Sequence, residues 1–189
     1  MKSYLLIIFV SFSLYLNLNT NVKAQVNQLP ITITDLDGTD LEFGQIVSNS
    51  GLQLIPIEFS KVLGIRGSRF LDVLVEISAD NELLLNSNPS CQGNPSCSIP
   101  FTLQASYANN GVNDPGQSMP FSVNSNFAVA SFKILQNGGN ATPFLIFLAQ
   151  IFPDLFQSTA YVYIFGSINV GNVAGGNYSN SITITVIHD

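Results

Sequence analysis

The chain of 189 residues contains no Trp, one His and two Cys. His188 lies next to the last residue, and chain ends are usually poorly ordered, whereas a general base must be held in place by a third group. We therefore expect no Ser-His-Asp or Cys-His catalysis, no cofactor and no enzymatic activity. Paired carboxylates that hydrolyse glycosides are the one catalytic alternative, since such a pair needs no sequence motif.

Positive charge is scarce as well. Six Lys and Arg stand against twelve Asp and Glu, which gives a net charge of −6, and the basic residues form no run. Phosphate binding needs clustered cations, so nucleic acid is not an expected partner. With 46% hydrophobic and only 10% charged residues, the composition also excludes a solvated disordered chain.

The first 24 residues have the layout of a secretory signal peptide. Lys2 is followed by an apolar run, Tyr4 to Leu16, and Val22-Lys23-Ala24 is a small-residue cleavage pattern, which predicts cleavage after Ala24. The run is shorter than the roughly 20 residues that a membrane-spanning helix needs. The sequence thus predicts export without a membrane span, and a single domain over residues 25–189.

Cys91 and Cys97 are separated by five residues, Gln-Gly-Asn-Pro-Ser. In an oxidising compartment this short segment can turn back on itself, so we predict a disulfide between them. The alternative, a redox or metal-binding pair, lacks both the C-x-x-C spacing and partner ligands.

Strands are predicted throughout the remaining chain, because apolar and polar residues alternate with period two. Short strands separated by Asn- and Gly-rich turns are typical of an antiparallel β-sandwich. Pro56 indicates an edge strand or a bulge, and a brief helix is expected near Gly64 or Ala149. The predicted strands are Ile31–Thr34, Leu41–Val47, Leu52–Phe59, Leu71–Ile77, Phe101–Tyr107, Phe121–Val123, Phe127–Leu135, Tyr161–Val170 and Tyr178–Val186.

The segment Phe144–Phe156 is largely apolar but does not alternate. Two interpretations stay open. The segment is either a buried strand with the turn that follows it, or an exposed apolar surface for another protein chain or a lipid headgroup region.

Acidic residues alternate around a glycine turn at Asp35, Asp37, Asp40 and Glu42. Oxygens in such an arrangement can point at one Ca²⁺. The glycine, Gly38, comes two places too early for an EF-hand loop, so a solvated acidic turn is the alternative to a weak calcium site.

Two stretches carry a resemblance to known proteins. The first is Asp40–Val47, of the L-x-F-G-x-I type, and the second comprises Tyr161–Val170 followed by Gly176–Val186. In this order, after a signal peptide, they resemble spore coat protein U-like and related pilin-like secreted bacterial domains. Those domains are similar in turn to subunits of chaperone–usher fimbriae.

The resemblance implies an immunoglobulin-like β-sandwich that serves as a structural or adhesive subunit, secreted or on the cell surface after passage through the periplasm. Its implied partners are other copies or related subunits and a periplasmic chaperone, and assembly would proceed by strand addition. A candidate donor strand lies near the mature N-terminus, where Leu29, Ile31 and Ile33 can enter one groove. Alternatively, this segment is the first strand of its own complete sandwich.

A soluble extracellular module that binds carbohydrate or protein is the alternative function. Aromatic rings on loops would favour sugar stacking, with Tyr107 and Tyr178 as the candidates.

Overall fold

The structure, a computed structural model, describes residues 29–140 and 142–188. The predicted signal peptide, residues 1–24, and its cleavage site lie outside the described residues. In the described ranges the chain forms short strands, two short helices and three single 3-10 turns. The strands are β1 (Thr32–Asp35), β2 (Gly51–Ile55), β3 (Lys61–Ser68), β4 (Asp72–Ala79), β5 (Glu82–Leu85), β6 (Ser98–Ala108), β7 (Met119–Pro120), β8 (Ser122–Asn124), β9 (Phe127–Lys133), β10 (Gln157–Val170), β11 (Tyr178–Ser179) and β12 (Ile182–His188); the helices are α1 (Pro143–Ile151) and α2 (Pro153–Phe156).

The strands form two antiparallel sheets with the core between them. Sheet one has the order β1-β3-β10-β6-β5-β11, with β2 paired to β10 and β7 paired to β6. Sheet two has the order β12-β4-β9-β8. The prediction of an all-β antiparallel sandwich is therefore confirmed.

The alternating sequence pattern explains the core. On β4 the inward residues Val73, Val75 and Ile77 are fully buried, and on the central strand β10 Ala160 and Val162 meet them from the opposite sheet. Burial of each such side chain contributes about 1.5–3 kcal/mol to stability, so this row is a main source of stability.

Asn126 joins the two sheets at one end of the sandwich. It is buried, has a φ of 60° and lies in the turn between β8 and β9. Its Nδ2 donates to the carbonyl oxygen of Phe101 (2.8 Å) and to that of Asp80 (3.2 Å), and its Oδ1 accepts from the N–H of Leu103 (2.7 Å). Asn tolerates the left-handed conformation, so one side chain of the β8–β9 turn satisfies backbone groups of β6 in sheet one and of the turn after β4.

The structure corrects one predicted strand and confirms the expected helix at one of its two positions. The predicted strand Leu41–Val47 is wrong, because Gly44 takes a φ of 70° and interrupts the extended conformation. The helix expected near Gly64 or Ala149 occurs only at Ala149, since Gly64 lies within β3. Pro56 follows the end of β2, and β2 pairs only with β10 among the described strands, as expected for an edge.

The apolar segment Phe144–Phe156 forms α1 and α2, so its interpretation as a buried strand is wrong. Pro143 occupies the first turn of α1, and Thr142 Oγ1 accepts a hydrogen bond from the N–H of Leu145 (3.3 Å). Proline at this position and a threonine cap both favour helix initiation. The sequence signal for the helix was this Thr-Pro pair.

Gly166 permits the close contact between β10 and β6. A Cβ at this position would collide with the carbonyl oxygen of Thr102 and would lie 3.1 Å from the ring of Phe101. Because the first of these atoms belongs to the backbone of a neighbouring strand, it has little freedom to move away.

We expect Gly166→Ala to lower the free energy of unfolding by about 1–3 kcal/mol, as overpacking of a core does. The matched control is Gly171→Ala, just beyond the same strand, where an added Cβ meets no atom within 4 Å. Urea unfolding of both variants checks this. Equal stability of the two variants would contradict the packing role of Gly166.

Candidate functional site: an open groove beside the last strand

The strand β12 has a partner on one side only. It pairs with β4 from Ile182, opposite Ala79, to His188, opposite Val73, and no strand of the described residues pairs with its other edge. An edge of this kind presents unpaired N–H and C=O groups that can pair with another strand.

The burial of the β12 side chains also shows that this strand has a neighbour on one side only. On β4 the inward residues are fully buried; they are Val73, Val75 and Ile77. On β12 the inward residues are only half-buried; they are Ile182, Ile184 and Val186. Sheet two therefore covers the core less completely along its outer edge at β12.

A groove with a volume of about 840 Å³ lies beside this edge. Its walls include Ile184 of β12, Leu63 of β3, Ile164 and Ile168 of β10 and Phe101 of β6. Because these side chains are apolar and come from both sheets, the groove is an opening into the core of the sandwich. It is wide enough to accept several apolar side chains.

Residues 40–47, which we call the crossing segment, lie over this groove. The ring of Phe43 packs edge-on against Phe101, with centroids 6.3 Å apart, and Ile46 is half-buried against the same core. Gly44, with its positive φ, allows both side chains to point inward although they are three residues apart. The crossing segment therefore fills part of the groove with side chains.

Lys61 anchors the chain at the start of the crossing segment. Its Nζ lies 2.7 Å from Asp35 Oδ2 and 2.6 Å from Asp37 Oδ1, and it donates to the carbonyl oxygen of Thr39. Asp37 also accepts from the N–H of Val62 (3.2 Å).

The far end of the crossing segment is held by Ser48 and Asn49. Ser48 Oγ donates to the carbonyl oxygen of Gly171 (3.3 Å) and accepts from the N–H of Val173 (3.1 Å). The N–H of Asn49 donates to the same Gly171 oxygen (2.8 Å). Both ends of the crossing segment are thus fastened to sheet one or its loops.

The weak calcium site expected at Asp35, Asp37, Asp40 and Glu42 is not formed. The ammonium group of Lys61 occupies the position between the first two carboxylates, while Asp40 and Glu42 line the rim of the groove. Within residues 29–140 and 142–188, no three His, Cys, Asp or Glu side chains come together in a metal-binding arrangement.

Lys61 and Asp35 shift each other's proton affinity. The hydrogen bond from Lys61 lowers the pKa of Asp35 well below its usual range, aided by the N–H of Gly38. Partial burial lowers the pKa of Lys61, but its hydrogen bonds with Asp35 and Asp37 outweigh that effect and raise the pKa overall. Both shifts favour the charged pair near neutral pH.

The predicted disulfide is present between Cys91 and Cys97, whose Cα atoms are 5.4 Å apart. The loop it closes contacts one end of the groove, since the carbonyl oxygen of Ser96 accepts from the N–H of Ala174 (2.8 Å). The disulfide therefore supports the loop that leads into β11 and β12.

The candidate donor strand lies in the chain's own sheet one. Ile33 pairs with Ile65 of β3 and is 45% exposed. Ile31 is half-buried against the core, and Leu29 belongs to a separate cluster with Phe70. The structure thus places the three residues in different surroundings rather than in one groove, and exchange of this strand between copies stays a prediction.

Neither tyrosine considered for sugar stacking offers a free ring face on a loop. Tyr107 stacks on Phe132 with centroids 4.0 Å apart. Tyr178 packs against the core and its hydroxyl donates to the carbonyl oxygen of Ala174 (2.8 Å). Desolvation raises the pKa of both phenols, which accords with their packing roles.

The helices α1 and α2 present apolar side chains to solvent, in agreement with the interpretation of this segment as an exposed apolar surface. Their inner face packs on Leu29 and Phe70 through Leu145, Ile146 and Ala149. No helix of the described residues is long and apolar enough to cross a membrane. The exposed residues are Phe144, Phe147, Ile151, Phe152 and Leu155.

No protein-family model and no curated protein matches the chain. Among solved structures, it is similar to a chain of a chaperone–tip adhesin complex described as vital for synergistic activation of CFA/I fimbriae biogenesis. The identity is 11% and the TM-score 0.40, over 86% of this chain and 43% of that chain. A TM-score at this level does not establish a common fold, so membership of the spore coat protein U-like group stays a prediction.

The contribution of Lys61 to stability should depend on pH. Asp35 binds its proton more weakly in the folded than in the unfolded state. The ion pair between Asp35 and Lys61 therefore stabilises the fold fully above a pH of about 4, the pKa of Asp35 in the unfolded chain. This stabilisation is lost as the pH falls further. We expect Asp35→Asn to lower the Tm at pH 6, by an amount that shrinks as the pH falls below about 4.

Asp72→Asn is the control, because the carboxylate of Asp72 pairs with Lys133 at a longer distance, 3.4 Å. Thermal unfolding from pH 2 to pH 7 provides the measurement. A Tm deficit in Asp35→Asn that is as large at pH 2 as at pH 6 would show that the ion pair is not its cause.

Proposed function

We propose that the protein is a non-enzymatic structural subunit, secreted or on the cell surface, whose groove beside β12 takes up an extended strand from a second copy. The observation that supports this most directly is the half-buried inward row of β12 beside the fully buried row of β4. A strand placed along the free edge of β12 would cover that row.

Strand addition supplies two kinds of stabilisation at this edge. Main-chain hydrogen bonds form with the unpaired groups of β12, and alternate side chains enter the groove. Each apolar side chain that becomes fully buried adds about 1.5–3 kcal/mol.

The proposed occupant is the segment around Leu29, Ile31 and Ile33 of another copy. Its apolar residues alternate, and residues 28–34 carry no charge. An uncharged strand avoids repulsion by Asp40 and Glu42 at the rim of the groove.

Exchange of this segment releases Leu29 from its cluster with Phe70 and Ile31 from the core of the donor subunit, while the strand part of the segment is held only at a sheet edge. β1 lies at the outer edge of sheet one, pairs with β3 over four residues and has all four residues exposed. Before assembly the inward row of β12 is only half-buried, and a periplasmic chaperone that shields it is the second proposed partner.

Assembly should depend on the inward face of β12. We expect Ile184→Ser to abolish or strongly reduce polymer formation, because the substitution removes an apolar wall of the groove. Ile187→Ser, on the outward face of the same strand with 47% exposure, should assemble as the wild type does. Light scattering of the purified proteins measures the polymers, and thermal unfolding confirms that both variants fold.

If the two serine variants assemble equally well, the groove is not the assembly site. A wild-type protein that stays a monomer at all concentrations would argue for the alternative, a soluble binding module, which a glycan array and a protein pull-down would then examine.

The donor assignment has its own test. Ile33→Asp should leave the monomer almost as stable as the wild type, because Ile33 is 45% exposed there, but should block polymers, since a carboxylate in the groove would be buried without a partner. Thr34→Asn, a polar substitution at the neighbouring exposed position of β1 that adds no charge near Asp40 and Glu42, is the control and should polymerise. Normal polymers from Ile33→Asp would exclude this segment as the donor and leave the groove proposal intact.

A further inference from the structure

We infer that the crossing segment, residues 40–47, is a displaceable plug that controls entry to the groove. The identity of the strand that enters the groove rests on the proposed function. The closure of the groove by the plug is a separate statement about the monomer.

The plug holds its place through side chains rather than through strand pairing. Phe43 packs on Phe101 and Ile46 on the neighbouring core. Among residues 40–47, the single backbone-to-backbone hydrogen bond in the structure is that from the N–H of Ser50 to the carbonyl oxygen of Val47. A strand that pairs with β12 would therefore gain hydrogen bonds that the plug does not make, and can replace it.

The two anchors allow the plug to leave while its ends stay fixed. Lys61 binds Asp37 and the carbonyl oxygen of Thr39 at one end, and Ser48 and Asn49 bind Gly171 at the other. The eight residues between these ends can extend over about 26 Å. In the proposed motion these residues move aside over the rim of the groove while both anchors hold.

Gly44 sets the conformation in which the plug fits. Its φ of 70° lies in the left-handed region, and an added Cβ would meet no atom within 4 Å. Gly44→Ala therefore strains the plug alone, because alanine disfavours this φ by about 1 kcal/mol, and leaves the core unchanged. The matched control is Gly139→Ala, which has a φ of 83° and equally open surroundings outside the groove.

The test measures entry of a fluorescent synthetic peptide of residues 28–34, the uncharged segment, into the purified monomer, together with binding of a hydrophobic dye. We expect Gly44→Ala and Phe43→Ala to take up the peptide faster than the wild type, by about tenfold for Phe43→Ala, and to bind more dye. A tenfold change corresponds to about 1.4 kcal/mol. Gly139→Ala and Phe127→Ala, at an exposed position of β9, should match the wild type in both measurements.

Each pattern of results decides between the two proposals. Faster peptide entry in the plug variants supports both, whereas peptide entry at equal rates in all proteins overturns the plug and retains strand uptake. More dye bound by the plug variants without peptide entry in any protein supports the plug and overturns uptake of this strand. If the variants bind as much dye as the wild type and no protein takes up the peptide, both the plug and the uptake of this strand are overturned. Because Gly44→Ala leaves the core intact, misfolding of Phe43→Ala would not affect this outcome.

Discussion

Sheet two covers the core less completely on the side of β12 than on the side of β9, where the inward residues Ala128 and Phe132 are buried, and the groove depends on that difference. The inward residues of β4 are shielded by strands on both sides, while those of β12 border a groove. Apolar surface that faces water is unfavourable in proportion to its area. The crossing segment, the acidic rim and Lys61 all line or border the groove beside β12.

Rigid and adaptable parts of the sandwich are separated in space. Asn126 joins the sheets through three hydrogen bonds to backbone groups, and Gly166 brings β10 and β6 into close contact. Along the groove, by contrast, the crossing segment is held by ring packing and by contacts at its two ends. The two sheets are thus held firmly together, while the crossing segment beside β12 can move without disturbance of the core.

The local patterns predict much of the fold and little of the groove. Alternation at Leu71–Ile77 and Phe101–Tyr107 identifies β4 and β6, and the spacing of Cys91 and Cys97 identifies the disulfide. The open edge of β12 could not be predicted, because the sequence of a strand shows which face is buried but not which neighbours it has. Alternation also failed at Leu41–Val47, since one left-handed residue, Gly44, reverses the side-chain pattern.

Asp35 belongs to two parts of the molecule at once: it is the last residue of β1 and a partner of Lys61. If β1 leaves its own sheet to serve a neighbouring copy, Asp35 moves with it and Lys61 loses one of its two carboxylates. The contact that steadies the plug is weakened in the same event, so a copy that has given its strand more readily accepts one. Growth of such an assembly would then be cooperative: slow to begin from closed monomers and faster once a first subunit has opened.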